Sequence, residues 1–167
     1  NTGLVSFTLP ASITNLNVEG VFYGSKLNTF GVADAAVNVG NTLGVKFFMN
    51  CASLTSVTLP NSITRLGELV FESTTGDTNG NGVVDPIEAS KFLTNGPSYA
   101  FAGCTSLASI DLSKIYWIGA HAFDGCTSLT TVTFGKYLSV IGDYAFANCT
   151  GLTTLDFASM RKTTWLN

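Results

Sequence analysis

A unit of about 23 residues recurs along the chain, and this repeat constrains the fold more than any other feature. Each complete copy begins with Cys, carries Leu three residues later, and has apolar residues three and five positions beyond that Leu. The first Leu of each copy falls at positions 4, 27, 54, 107, 129 and 152, so the steps are 23, 27, 53, 22 and 23 residues long. The complete copies begin at Cys51, Cys104, Cys126 and Cys149.

The two earlier copies keep the apolar pattern but lack the Cys. Asn1 stands in the Cys position of the first copy, and Gly24 stands there in the second. Val21 occupies the place where later copies have Phe. We interpret both copies as degenerate members of the same repeat.

A second apolar element lies between successive copies, in the segments ITNLNVEGV, ITRLGELVF, IYWIGAHAF and LSVIGDYAF. Gly follows the apolar pair in three of them, which predicts a bend between two short extended arms. Each repeat therefore forms one coil of a solenoid. The 27-residue step includes a four-residue expansion, and the 53-residue step contains a 30-residue insert between Phe71 and Phe101.

The repeat also predicts the core. A single coil cannot offset its own ordering entropy with a handful of buried side chains at roughly 1.5–3 kcal/mol each, so coils must stack to fold. The recurring Phe residues should form a buried ladder of rings: Phe48, Phe101, Phe123 and Phe146. The four Cys share the repeat period and have no CxxC and no nearby His, which disfavours zinc. Disulfides between neighbouring coils are the alternative to our prediction of free, buried thiols.

The segments AFAGCTSLASI, IGAHAFDGCTSLTTVTF and IGDYAFANCTGLTTLDF resemble the BspA-like leucine-rich-repeat family. The resemblance covers nearly all of the chain except the insert. It implies a right-handed, β-rich solenoid of about six coils, on a secreted or cell-surface bacterial protein that acts in adhesion and recognition. We predict a single leucine-rich-repeat domain over residues 1–167 with a loop-helix insertion over 72–100.

The charge and hydropathy of the chain limit which classes of partner it can bind. Only 11% of the residues are charged, the net charge is -3 and the pI is near 4.9, so no basic field gathers phosphates. We therefore expect no nucleic-acid partner. Polar residues interrupt every apolar run before the roughly 20 residues that would span a bilayer, so we also expect no membrane insertion.

The insert contains the calcium-loop pattern DTNGNGVVDPIE, which begins at Asp77. Ca²⁺ takes six to eight oxygen ligands from such twelve-residue loops, and Gly82 at the sixth position permits the sharp turn. Pro86 then suits the first turn of a short helix. The expected Ca²⁺ ligands are the side chains of Asp77, Asn79, Asn81, Asp85 and Glu88, and the carbonyl of Val83.

Other interpretations of this loop remain open. A solvated Asn/Gly turn is the plainest alternative. The loop is similar to the half-hands of dockerin-type modules, but it lacks an entering helix and a second hand. These features favour weak binding, near the 10⁻⁴–10⁻³ M range of extracellular modules, and a structural clasp rather than a sensor.

Catalytic signals are sparse. His121, the only histidine, lies at a variable position of a coil, and no Ser or Cys has a recognisable base beside it. Asp111 and Asp156 fall at equivalent strand positions two coils apart, a spacing that resembles a glycosidase carboxylate pair. Two solvated side chains explain this spacing better, so we predict that the chain is not an enzyme.

The remaining candidate function is the binding of a ligand at the surface of the solenoid. The outward strand positions are rich in Thr and Ser, which suits either ligand hydrogen bonds or ordinary exposed strands. Tyr116, Trp117 and Tyr137 stand out as candidate ligand anchors on the second arm. We predict a recognition module for protein or glycan ligands with one structural Ca²⁺. A structural spacer and a carbohydrate-active enzyme are the alternatives.

Overall fold

The computed structural model describes residues 3–67, 69–71, 93–95 and 98–157, and it shows a β-solenoid of about five turns. The structure has no helix in these ranges, and its strands are short because each crosses one side of a coil. The strands are β1 (Ser6–Leu9), β2 (Thr29–Val32), β3 (Thr42–Leu43), β4 (Ser56–Val57), β5 (Arg65–Leu66), β6 (Leu69–Phe71), β7 (Leu93–Asn95), β8 (Ser109–Leu112), β9 (Trp117–Ile118), β10 (Thr131–Phe134) and β11 (Val140–Ile141).

Parallel pairing between neighbouring coils confirms the repeat. The main strands form the sheets β1-β2-β4 and β8-β10, and the second arms form the continuous sheet β3-β5-β9-β11. Ser6 pairs with Thr29, and Thr29 pairs with Ser56, so positions that are equivalent in sequence lie side by side. Each strand thus repeats the inward and outward pattern of its neighbour, which is what buries one apolar column per position.

The turn that follows each second arm has two left-handed positions. The first holds Gly20, Lys46, Tyr99, His121 and Tyr144, and the second holds Gly24, Asn50, Gly103, Gly125 and Asn148, with φ between 46° and 76° throughout. The turns hydrogen-bond from coil to coil, as from Phe123 N to Ala145 O at 2.7 Å. These contacts tie the third side of every coil to the next coil.

The predicted ring ladder is confirmed. Phe48, Phe101 and Phe123 are fully buried and stack on one another and on the partly buried Phe146, with centroids 5.0–5.2 Å apart and ring planes within 25°. The prediction for the first coil was wrong, because Phe22 and not Val21 stacks on Phe48. The two ring centroids are 5.6 Å apart and the ring planes differ by 9°. Val21 is instead 45% exposed.

The thiol column is also as predicted, with four free, buried cysteines. Each Sγ donates to the carbonyl of the ladder Phe of the preceding coil, at 2.9 Å for Cys51 and 3.1 Å for the other three. The assignment of Gly24 to the Cys position was wrong. Ser25 lies there, with its Oγ 3.4 Å from the Sγ of Cys51, because the second repeat is one residue shorter in this turn.

Glycine is required where the second arm meets the turn. A Cβ on Gly44 would lie 2.2 Å from the carbonyl oxygen of Val18, and one on Gly142 would lie 2.5 Å from the amide nitrogen of Ala120. Because these contacts are with backbone, no side-chain adjustment relieves them. This explains the Gly that follows the apolar pair in the sequence pattern.

The number of complete coils is smaller than predicted. Of the predicted six coils, about five are complete, since residues 152–157 of the last repeat form no strand and have no coil stacked beyond them among the described residues. The insertion over 72–100 lies mostly outside the described residues, and so does its predicted helix. Its last residues, Ser98 to Ala100, belong to the ladder of turns, because Lys46 N bonds to Ser98 O at 2.7 Å.

The ends of the inserted segment lie close together. A Cβ on Gly67 would fall 2.6 Å from the Cβ of Ser98, and both residues hydrogen-bond within the stack of coils. Beyond them, β6 and β7 pair in antiparallel fashion, with Leu69 opposite Asn95. The insertion therefore leaves and rejoins the coil at one point, through a two-stranded stem.

Candidate recognition surface

Tyr116 and Tyr137, two of the three predicted anchors, form an exposed pair on neighbouring coils. Their rings meet edge to face, with centroids 5.6 Å apart and planes at 89°, and the residues are 43% and 46% exposed. The backbone of Tyr116 is held on both sides, by Tyr116 N donating to Thr64 O at 2.7 Å and by Ser139 N donating to Tyr116 O at 2.9 Å, and Ser139 Oγ donates to Tyr137 O at 3.0 Å. The pair is thus presented on a rigid element.

A lysine lies beside this pair. The Nζ of Lys136 is 4.9 Å from the centroid of the Tyr137 ring, within the range of a cation–π contact. The contact orders Tyr137 further and adds a positive charge at the edge of the pair. Together the three side chains offer aromatic faces, two phenol hydroxyls and one ammonium group.

Trp117, the third predicted anchor, is placed differently. It lies in β9 between Arg65 and Val140, and it is half-buried rather than exposed. Its indole Nε1 is buried and has no hydrogen-bond partner in the part of the chain that the structure describes. Trp117 is therefore less accessible to a ligand than Tyr116 and Tyr137.

Sequence reasoning missed a second aromatic row. Tyr99, His121 and Tyr144 occupy the first left-handed position of three successive turns, and their rings stack with centroids 4.8 and 5.1 Å apart and planes within 17°. The signal was present, since each residue precedes a ladder Phe by two positions. Ring stacking along the axis offsets part of the left-handed strain that a non-glycine residue carries.

Polar contacts fix the middle of this row. The Nδ1 of His121 lies 2.9 Å from Asp124 Oδ2, and Asn148 Nδ2 donates to Asp124 Oδ1 at 2.8 Å. Partial burial raises the pKa of Asp124, but the hydrogen bonds from His121 and Asn148 outweigh burial and hold this pKa below its ordinary value. Asp124 thus joins two turns in its ionised form.

This pKa predicts an acid-sensitive contribution to stability. Because the pKa of Asp124 is lower in the folded chain, its stabilising effect is present above the unfolded-state pKa, near 3.9, and is lost as the pH falls through the folded-state pKa. Urea unfolding between about pH 6 and pH 2 should show a shallower fall in stability for Asp124→Asn than for the unchanged chain. Exposed Asp143→Asn is the control, and an equal effect from it would contradict the assignment.

The remaining polar candidates, Asp111 and Asp156, lie on different coils. Asp111 caps its own turn, with Oδ1 accepting from Ser113 N at 2.8 Å, and both Asp111 and Asp156 are exposed. The outward Thr and Ser side chains of the main strands form some hydrogen bonds with one another, since Thr29 Oγ1 donates to Ser6 Oγ at 2.9 Å. Asp111 borders a cavity of about 230 Å³, but no second carboxylate among the described residues lines it.

The expected Ca²⁺ ligands, Asp77 to Glu88, lie outside the described residues, so their prediction stands untested. Within the described ranges, no group of three or more His, Cys, Asp or Glu side chains could hold a metal ion. No helix in that part of the chain is long and apolar enough to cross a membrane.

Three solved structures match this chain, the first two with TM-scores of 0.50 or more. A T. pallidum leucine-rich-repeat protein is 22% identical with a TM-score of 0.62, and it is covered over 56% of its length by 89% of this chain. A leucine-rich-repeat protein from Bacteroides ovatus ATCC 8483 is 25% identical with a TM-score of 0.50, over 90% of this chain and 36% of its own. A leucine-rich cell-surface protein from Faecalibacterium prausnitzii A2-165 is 15% identical with a TM-score of 0.31, over 89% of this chain and 65% of its own.

The chain thus spans about half of the first of these proteins and about a third of the second. No curated protein matches it significantly. The family model described as the BspA-type leucine-rich-repeat region matches residues 1–81 and 94–164 in six copies. Proteins with such repeats are modules of the surface and adhesion type, and the fold is typically a non-enzymatic interaction scaffold. With the repeat matched over most of its length and its coils stacked as the pattern requires, this chain belongs to the BspA-type leucine-rich-repeat family.

Proposed function

We propose that this chain is a non-enzymatic recognition module of a secreted or cell-surface bacterial protein, binding a protein or glycan ligand. The observation that supports it most is the exposed edge-to-face pair of Tyr116 and Tyr137. Large aromatic side chains with polar tips are the commonest anchors of interfaces, because they bury much apolar area and lose little conformational entropy.

The position of the pair strengthens this proposal. The backbone of Tyr116 is bonded to the coils on both sides, and Tyr137 lies just before β11, which pairs with β9, so binding does not have to order this backbone first. The neighbouring Lys136 favours a ligand that carries hydroxyls or a negative charge. A polysaccharide with acidic groups and an acidic protein surface share that chemistry.

The test is a screen of glycans and matrix proteins with the intact chain, followed by Tyr116→Ala with Tyr137→Ala. We expect the double variant to weaken the strongest hit by about tenfold or more, since each 1.4 kcal/mol of lost contact energy is a factor of ten. Tyr23→Ala is the matched control, because Tyr23 is also exposed but lies on the first coil. A ligand that binds the double variant and the control equally well would remove the pair from the proposal.

We further propose that one Ca²⁺ stabilises the insertion through Asp77, Asn79, Asn81, Val83, Asp85 and Glu88. The support is the full match of the loop to the calcium template.

A purely structural spacer domain would bind nothing in the screen, and that outcome would replace recognition as the function.

A further inference from the structure

The fourth coil, which begins at Cys104, is one residue shorter than its neighbours at the corner that joins the main strand to the second arm. This corner consists of residues 60–62 in the third coil and 135–137 in the fifth, but only of residues 113–114 in the fourth. The missing residue accounts for the 22-residue step, the shortest of the repeat. Because β9 still pairs with β5 and with β11, the shorter corner leaves volume unfilled instead of shifting the coil.

The unfilled volume lies on the side of the third coil. Towards the fifth coil the corner is closely packed, because a Cβ on Gly135 would overlap the carbonyl oxygen of Ser113. Towards the third coil, no backbone hydrogen bond joins residues 57–63 to residues 111–115, all of which the structure describes. A cavity of about 230 Å³ lies between these two segments, and Ala35 of the second coil also borders it. The short corner therefore accounts for the position of the cavity.

The size of the cavity suits one six-membered ring. It is larger than the roughly 150 Å³ cavity that holds a benzene molecule, and smaller than the roughly 300–1,000 Å³ of sites for drug-sized ligands. Its lining includes both apolar and polar side chains, among them Val57, Ile63, Ile115, Thr58, Asn61 and Asp111. A ligand that fits it must therefore offer an apolar face together with hydrogen-bonding groups.

Two charged side chains at this cavity have no charged partner. Asp111 and Lys114 both border it, yet neither forms an ion pair with any residue that the structure describes. Asp111 Oδ1 accepts a hydrogen bond from Ser113 N at 2.8 Å, which leaves Oδ2 for a ligand. A hydroxyl group can donate to a carboxylate and accept from an ammonium group, so neighbouring hydroxyls on one ring satisfy both charges. A purely anionic or purely cationic ligand would satisfy only one of them.

We propose that this cavity binds the terminal pyranose ring of a glycan, with its hydroxyls on Asp111, Lys114 and Asn61 and its C–H face on the apolar lining. The inference rests on the proposed function and deepens it, because it selects a glycan as the ligand of the recognition module. A pyranose ring combines the three required properties, which are the size of one ring, adjacent hydroxyls and an apolar face.

The cavity adjoins the tyrosine pair. Ile115 lines the cavity and Tyr116 is the next residue, so their Cα atoms are about 3.8 Å apart. Tyr116 N also donates to the carbonyl oxygen of Thr64 at 2.7 Å, and Thr64 follows Ile63, another residue of the lining. A glycan with its terminal ring in the cavity can therefore place its next ring against Tyr116.

The test uses nuclear magnetic resonance of the intact chain with the methyl glycosides of glucose, galactose and mannose. We expect at least one of them, at millimolar concentration, to shift the amides of Asn61 and of residues 111–115. Asp111→Asn keeps the size of the side chain and an acceptor for Ser113 N but removes the charge, so it should weaken this binding about tenfold. Asp143→Asn is the matched control, because Asp143 is exposed and does not line the cavity.

A second pair of variants tests the cavity itself. Ala35→Trp adds a large side chain at its border, whereas Ala36→Trp adds the same side chain at the next position, which is exposed and outside the lining. Only Ala35→Trp should abolish the shifts. The circular-dichroism spectra of both variants show whether they remain folded.

The proposal is overturned if none of the three glycosides shifts these amides, or if Asp111→Asn leaves the affinity unchanged. It is also overturned if free glycine causes larger shifts there than the glycosides do, since that would identify a site for a zwitterion. The Tyr116→Ala, Tyr137→Ala double variant should bind the glycosides normally. A ligand from the screen that depends on the tyrosines, together with glycosides that do not bind, would remove the cavity and leave the proposed function in place.

Discussion

Replacing Phe123 with alanine is expected to lower the free energy of unfolding by about 3–5 kcal/mol, the usual cost of truncating a buried phenylalanine. Phe123 is fully buried and stacks between Phe101 and Phe146 at 5.0 and 5.2 Å. Its carbonyl oxygen also accepts a hydrogen bond from the thiol of Cys149, at 3.1 Å. The truncation therefore leaves a cavity bounded by two coils, and neither coil can close it while the backbone ladders hold their spacing.

The loss should extend to the neighbouring coils. Stability in a solenoid is shared between adjacent repeats, so amide exchange should quicken around Phe101 and Phe146 and less in the first coil. Thr131→Ala is the matched control, because Thr131 lies in the same coil with its side chain exposed. An equal loss of stability from the control, measured by urea unfolding, would contradict the assignment of the ring ladder.

The second large effect concerns calcium. Asp77→Ala together with Glu88→Ala should abolish Ca²⁺ binding, because these two substitutions remove two of the three charged ligands. One of the two, Glu88, is expected to bind with both carboxylate oxygens. Calorimetry of the unchanged chain should show binding in the 10⁻⁴–10⁻³ M range. At a hundredfold excess of Ca²⁺ over Kd, stabilisation should reach about 2.7 kcal/mol if unfolding includes the insertion.

A deletion provides the matched control. Residues 68–97 number 30, and removing them from the 53-residue step leaves 23, which is the repeat length. Because Gly67 and Ser98 approach closely and both belong to the stack, their direct connection should give a regular coil. The shortened chain should keep its β-sheet circular-dichroism spectrum and lose all Ca²⁺ binding.

Three outcomes would contradict the interpretation of the calcium loop as a separable structural clasp. An unchanged chain that gives no Ca²⁺ heat at millimolar concentration has no such site. Micromolar binding with a large change in shape would instead indicate a switch. Unfolding of the shortened chain would show that the insertion is needed by the coils and is not a separable element.

The repeat itself determined most of the architecture. Each coil contacts only its neighbours, so residues of one periodic position must stack in one column, and this fixes the core without knowledge of the overall shape. Phe48, Phe101 and Phe123 were predictable as buried rings for this reason. The four cysteines followed the same logic, since parallel stacking points every thiol in one direction and towards a carbonyl.

Local shifts of register were decided by packing. The first coil places Phe22 under Phe48 and Ser25 beside Cys51, although the simple spacing favoured Val21 and Gly24. A turn can lose one residue while the strands on both sides keep their pairing, and the ring then selects the position that fills the column. Nothing in the pattern of a single degenerate repeat signals this adjustment.

The surface depended most on tertiary structure. Tyr99, His121 and Tyr144 form a row only because three turns place them in the same left-handed conformation at a spacing of about 5 Å. Trp117 is half-buried between Arg65 and Val140 of the neighbouring coils, whereas Tyr116 beside it is exposed. The sequence by itself determined the coil, its core and the family. Only stacking decided which side chains the coils expose together, because that property arises between repeats and not within one.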